Sequence, residues 1–296
     1  MKVYVLPVPY TMMQSSSSFV WPNHNEDYGV EQDFYAWLIG SDLLTDNPRK
    51  ADWHYLPIWW NRYYLNSFMN NTDEDANERY KLALIDATER SIVNPHKTFT
   101  VCEYDPFVMQ PWLPLDGVTV FTGSRRHTWG IDIPLLSAPH VAPEPSADKR
   151  YLASFVGHLG THALREYMAT ELEGRDDVYI EHGNQGEDYF VKLMLNSHIA
   201  LAPRGDGGAS FRFYEAMQLG IVPLMISGVD TRPFRRWLDW DDCTLYRANC
   251  DGLYQYMNGI GHAELDAMGR LAQRMYTDHL TYGRWCPYVM RELELI

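Results

Sequence analysis

The chain has 296 residues, 46% of them hydrophobic, and a formal net charge of −14, which leaves room for two domains of about 150 residues each. Such acidity disfavours nucleic acid as a partner, since phosphate-backbone binding needs a broad basic surface. No apolar run approaches the roughly 20 residues of a membrane span, and MKVYVLPVPY is too short and too broken by prolines to be a signal peptide.

Val3 to Val8 reads as a first strand, followed by a long loop, Tyr10 to Asp27, with four serines and the segment WPNHNEDYG. Tyr28 to Leu44 has helical spacing, with Phe34, Trp37, Leu38 and Leu44 on one side. The aromatic stretch Trp53 to Phe68 reads as a wall for sugar faces. Thr72 to Thr88 is the next helix, with Thr72 and Asp75 spaced as a capping box. Asp73-Glu74-Asp75 also spells an aspartate-x-aspartate metal motif, but its place at a helix start favours capping. Lys97 to Cys102 and Val118 to Phe121 are strands. The loop after the second, GSRRHTWG, puts Arg126 within reach of a phosphate, or is a solvated basic turn. Four prolines in LLSAPHVAPEPSADKR mark a linker.

Tyr151 to Val156 opens a new alternating unit. Gly157 and Gly160 follow this strand and precede a helix to Glu173, a geometry suited to phosphate. Strand Val178 to Ile180, with His182 just beyond it, and helix Glu187 to Asn196 come next. The stretch SHIALAPRGDGGASFRFYEAMQLGIVPLMIS, Ser197 to Ser227, then reads as strand, glycine-rich turn, helix, strand. Three glycines and a proline in PRGDGG cannot continue a strand or helix. Ser210 can cap the helix, and Gly220 stops it. Arg204 and Arg212 flank the turn, where backbone N–H groups and a helix start suit an anion. Thr231 to Trp237, Leu253 to Met257 and Ala263 to His279 look helical. Cys102, Cys243, Cys250 and Cys286 show no metal spacing, so reduced thiols are expected. Alternating strands and helices predict an α/β fold with two Rossmann-like lobes facing a cleft. The expected division is 1–140, 141–280, and a final segment 281–296 that packs back on the first lobe.

Three blocks resemble the exostosin-type glycosyltransferases. The first holds Tyr28, Glu31, Phe34, Ser41, Thr45, Asp46, Pro48, Ala51, Asp52 and Pro57. The second holds Phe155, Gly157 and Arg165. The third holds Pro203, Arg204, Gly205, Ser210, Arg212, Glu215, Ala216, Gly220, Val222 and Pro223. The resemblance implies the glycosyltransferase B architecture, with a nucleotide sugar on the second lobe and the acceptor on the first. It implies donor contacts from Gly157, Arg165, His182, Pro203, Arg204, Gly205, Ser210, Phe211, Arg212 and Glu215. Arg165 and Arg204 would meet the diphosphate and Glu215 the ribose, while Arg212 could instead brace the loop. The family's glycine-glycine-x-aspartate-histidine element is not found, so acceptor-side residues do not carry over.

These residues lead to the expectation of an inverting transfer from a uridine diphosphate sugar to a glycan hydroxyl. Many retaining enzymes of this architecture carry two glutamates eight positions apart, and eight positions after Glu215 stands Pro223. No further lysine or arginine flanks the motif to greet a uronate, which leans the donor towards a neutral sugar such as xylose. No metal or other cofactor is expected, because arginines and helix starts offset the leaving charge. The catalytic base is expected on the first lobe, with Asp73 preferred over Asp27 and Asp105. A non-catalytic sugar- or nucleotide-binding module is the alternative. An epimerase or dehydrogenase would need a glycine fingerprint where Val8-Pro9-Tyr10 stands. Many relatives are anchored Golgi proteins, whereas this sequence shows no anchor and a cytoplasmic, soluble chain is expected.

Overall fold

Two runs of alternating strands and helices form two separate parallel sheets. The structure, a computed structural model, describes residues 1–14, 29–69, 72–126, 129–137, 139–140, 149–183 and 186–296. It divides into Met1–Leu136 with Tyr282–Ile296, and Ser137–Thr281.

The first unit holds β1 (Val3–Val5), α1 (Val30–Ile39), β2 (Trp53–Tyr55), α2 (Trp60–Tyr64), α3 (Glu74–Ser91), β3 (Thr98–Cys102), α4 (Asp105–Val108), β4 (Thr119–Thr122) and β5 (Ile131–Asp132). Its strands lie in the order β1-β2-β3-β4-β5, each pair parallel. Every residue of β2 and β3 is buried, as strands covered on both faces require. Most of the aromatic stretch is core rather than an exposed wall, with only Trp59, Tyr64 and Phe68 half-buried. Trp53, Tyr55, Trp60 and Tyr63 are in the core, where each large ring gains about 2–3 kcal/mol by leaving water. Tyr55 and Phe34 pack edge to face, and Phe99 contacts both. The cap of α3 also differs from the expected Thr72–Asp75 box. Asp73 is the N-cap, and its Oδ1 accepts from the N–H groups of Asp75 (3.0 Å) and Ala76 (3.2 Å).

The second unit holds β6 (Tyr151–Gly157), α5 (Ala163–Glu171), β7 (Val178–His182), α6 (Glu187–Leu195), β8 (Ser197–Pro203), α7 (Phe211–Gln218), β9 (Val222–Ile226), β10 (Leu245–Arg247), α8 (Leu253–Asn258) and α9 (His262–Met275). The sheet order is β10-β9-β8-β6-β7, all parallel. Gly220, at φ +70°, ends α7. The Ile221 N–H donates to Ala216 O (2.9 Å) and the Gly220 N–H to Met217 O (3.2 Å), which satisfies the last carbonyls. A Cβ on Gly269 would lie 2.2 Å from Gly220 O, so α9 seats its backbone directly on this corner. No helix forms over 231–237. Phe234 has φ +55°, which a right-handed helix cannot contain. Arg232 there is held by Asp230 (2.8 Å) and Asp241 (2.7 Å).

The chain returns to the first unit in α10 (Cys286–Leu293). Asp33 Oδ2 on α1 accepts from the Gly283 N–H (2.8 Å) and from Trp285 Nε1 (2.7 Å). All four cysteines are buried and free. No helix among the described residues is long and apolar enough to cross a membrane.

Candidate functional site

Strands β6 and β8 are neighbours, pairing Ala153 with Ile199 and Ser154 with Ala200. From β6 the chain proceeds to β7 on one side, and from β8 to β9 on the other. This is the point in an open parallel sheet where two loops part and leave a crevice for a ligand. The loop after β6 runs through Gly157 to His162, and the loop after β8 through Pro203 to Ser210. Arg165, on α5, ties them together. Its Nε donates to Arg204 O (3.1 Å), and its Nη1 to His158 O (2.9 Å) and Thr161 Oγ1 (3.3 Å). A Cβ on Gly205 would lie 3.1 Å from Arg165 Nη2, so a hydrogen at this position lets the loop close on the guanidinium. Arg204 lies along its own loop, with Nη2 3.4 Å from Asp206 O. His182, at the end of β7, accepts from the Leu159 N–H through Nδ1 (3.1 Å). Burial, then Arg204 and Arg165, hold His162 below the ordinary histidine value, with Asp206 acting the other way.

Helix α7 supplies the other wall. Ser210 occupies its N-cap position without a side-chain cap bond, and Phe211 is its first residue, partly exposed. Arg212 donates from Nε to Val156 O (2.9 Å) and from Nη1 to Glu215 Oε2 (2.9 Å). Its guanidinium stands 4.3 Å from the Phe190 ring centre. A Cβ on Gly157 would crowd both Phe155 Cζ (3.0 Å) and Arg212 Nη2 (3.4 Å). Glu215 is 3% exposed. Burial alone would raise its pKa, but Arg212 and His140 outweigh it and hold the carboxyl at about 2. His140 and His162 are the site residues that sequence reasoning missed. His140 sits in the proline-rich stretch read as a linker, yet its Nε2 lies 3.5 Å from Glu215 Oε1.

In the first unit the arginines of GSRR are paired with carboxylates. Arg126 gives its N–H (2.8 Å) and Nε (3.1 Å) to Asp105, and Arg125 forks onto Asp132 at 2.9 and 2.7 Å. Asp105 is fully buried. Asp73 is at the surface as a helix cap, 3.9 Å from Arg79. Asp27 lies outside the described residues. Two buried carboxylates of this unit, far apart in sequence, perturb one another. Glu31 Oε1 accepts from the N–H groups of Asn61 (3.2 Å) and Glu103 (3.0 Å), and Asn61 Nδ2 donates to Glu103 Oε2 (2.9 Å). Burial lifts Glu31 to about 7, and burial together with Glu31 lifts Glu103 to about 8. Among the described residues no three His, Cys, Asp or Glu side chains converge to hold a metal ion.

The Exostosin GT47 domain matches residues 1–251. Exostosin-1 of Drosophila melanogaster is 28% identical over 123 residues, 34% of this chain and 16% of that protein. The Exostosin-1 homolog of Caenorhabditis elegans is 27% identical over 128 residues, 36% of this chain and 34% of that protein. The matched stretch is thus about a third of the length of one relative and about a sixth of the other. Among solved structures, AviGT4, a glycosyltransferase involved in Avilamycin A biosynthesis, is 14% identical with a TM-score of 0.41, covering 99% of this chain and 96% of that one. TarM is 8% identical with a TM-score of 0.39, covering 72% and 58%. With the family's domain spanning most of its length, the chain belongs to the exostosin GT47 family.

Proposed function

We propose that this protein is a glycosyltransferase that moves a sugar from a uridine diphosphate sugar to a hydroxyl of a glycan acceptor, inverting the anomeric centre. The observation that carries the reading is the parting of the β6 and β8 loops, tied together by Arg165, with Arg204 on the second loop. In the proposed donor complex, backbone N–H groups at the starts of α5 and α7 and the Arg204 guanidinium face the diphosphate. Arg165 adds its charge while it fixes both loops. Gly157, His182, Pro203, Gly205, Ser210 and Phe211 line the nucleotide. Glu215, ionised at any physiological pH, accepts from ribose hydroxyls.

The acceptor oxygen attacks the anomeric carbon as the bond to the diphosphate breaks, and a first-unit carboxylate takes the acceptor proton. Asp73 is the proposed base. Fixed cationic groups stabilise the departing diphosphate, so no metal or other cofactor is invoked. The absence of a second glutamate eight residues beyond Glu215 supports inversion, and the absence of extra cations beside α7 supports a neutral sugar, with xylose the first to test. The experiment is to incubate the protein with a panel of uridine diphosphate sugars and measure released diphosphate, with and without glycan acceptors and chelator. Acceptor-dependent release that survives chelation is expected. Tight binding with no release under any pairing would make it a binding module, and loss on chelation with rescue by manganese would overturn the metal-free mechanism.

A further inference from the structure

The first residues of the second unit fold over α7. Gln218 Nε2 donates to Ser137 Oγ (2.6 Å), and the His140 backbone N–H donates to Gln218 Oε1 (3.1 Å). Glu215 lies one helical turn before Gln218 on the same face, so this anchor brings the His140 ring to it. Nδ1 of that ring is 2.8 Å from Glu187 Oε1 at the start of α6, which fixes the ring's orientation. Nε2 then lies 3.5 Å from Glu215 Oε1, longer than an N–H···O bond. Among the described residues this buried nitrogen has no hydrogen-bond partner, and Glu215 is its ion-pair neighbour. Arg212 holds the other carboxylate oxygen, Oε2, at 2.9 Å. A ring nitrogen at ion-pair distance thus stands beside the carboxylate oxygen that Arg212 leaves open.

A donor and an acceptor in this relation are matched by a hydroxyl, which accepts from one and donates to the other. A hydroxyl oxygen about 2.8 Å from each completes both bonds. A methylene satisfies neither. The charged groups around the ring are the Glu187 and Glu215 carboxylates, with Arg212 beyond Glu215, and the Phe190 ring packs at 5.9 Å. Burial lowers the pKa of His140, but Glu215 and Glu187 outweigh it and raise it. The imidazolium is thereby favoured, with an N–H on each nitrogen.

We propose that His140 and Glu215 together read one hydroxyl of the donor's ribose, which makes His140 a specificity-determining residue that separates ribonucleotide from deoxyribonucleotide. This rests on the donor-site reading given above. The test measures dissociation constants for uridine diphosphate and dideoxyuridine diphosphate by calorimetry, for the wild type, His140→Ala and His140→Gln, with thermal unfolding as a check on folding. The wild type is expected to prefer the ribonucleotide by about 10- to 100-fold, the range for hydrogen bonds to charged groups. In His140→Ala that preference should fall at least about fivefold while affinity for the dideoxy form is kept. His140→Gln retains an N–H and should recover part of it. Equal weakening of both nucleotides in His140→Ala, or an unchanged preference, overturns the proposal. If the wild type binds neither nucleotide, the donor-site reading itself fails and takes this inference with it.

Discussion

Arg212 and Glu215 face each other across one turn of α7, Nη1 to Oε2 at 2.9 Å, with the carboxylate almost wholly buried. Removing Glu215 leaves a partly buried guanidinium without its counter-ion. Glu215→Ala is therefore expected to lose about 3 kcal/mol of stability and, where it folds, to bind uridine diphosphate about 10- to 100-fold more weakly. Calorimetry on the folded variant checks this, and unchanged affinity would make Glu215 a structural residue only. Its depressed pKa also sets a sign. The stability it contributes is present above the ordinary glutamate range and is lost as pH falls through that range towards about 2.

Arg204 stands on the loop after β8 and makes two long contacts to that loop, 3.5 and 3.4 Å. Arg204→Ala should weaken uridine diphosphate by about tenfold or more, uridine monophosphate less, and uridine hardly at all. Competition titrations with the three ligands read the difference. Uniform weakening would remove Arg204 from the diphosphate contacts.

The Glu31–Glu103 pair predicts a stability profile of opposite sign. Both carboxyls bind protons more tightly when folded than when unfolded, with folded values of about 7 and about 8. Their contribution is thus fully present below the ordinary glutamate value and declines as pH rises through about 8. Glu103→Gln keeps an acceptor for Asn61 but cannot ionise. Its melting temperature should match the wild type in mild acid and exceed it by several degrees at about pH 8. Parallel melting curves across this range would show that the pair does not titrate as stated.

Asp73→Asn keeps a good helix cap and cannot take a proton. If Asp73 is the base, turnover falls by about 10² or more while donor affinity is unchanged. Turnover within a few-fold of wild type, measured at saturating donor and acceptor, would exclude it. Asp27 would follow. Asp105 is a weaker choice, since both its oxygens already serve Arg126.

The parts of the fold that sequence made legible are those fixed by local chemistry. The apolar run at 198–202, the glycine-rich turn and the glycine stop at Gly220 are each decided by a few neighbouring residues, and β8, its loop and α7 follow. The order of motifs brought Gly157, Arg165, Arg204 and Glu215 onto one unit, and the sheet order places the two loops side by side. His140 was hidden because its role depends on Gln218, 78 residues away, which docks the segment on α7. The Glu31–Glu103 contact, across 72 residues, was likewise invisible. The aromatic stretch misled because composition does not say which way a ring faces. The stretch at 231–237 misled because a positive φ at Phe234 and the Asp230–Arg232–Asp241 bonding override a helical pattern.

The two units are not threaded alike. The second is a single uninterrupted stretch, Ser137–Thr281, whereas the first is built from two pieces of chain. The two ends of the second unit also converge on Gln218, which binds Ser137 through its side chain and accepts from Gln273 through its carbonyl. In genetic terms it is an insertion with adjoining ends. One open reading frame would encode Ser137–Thr281 as a single fragment, free of any splice. Excising it would instead oblige the other half to acquire a new peptide join between Leu136 and Tyr282.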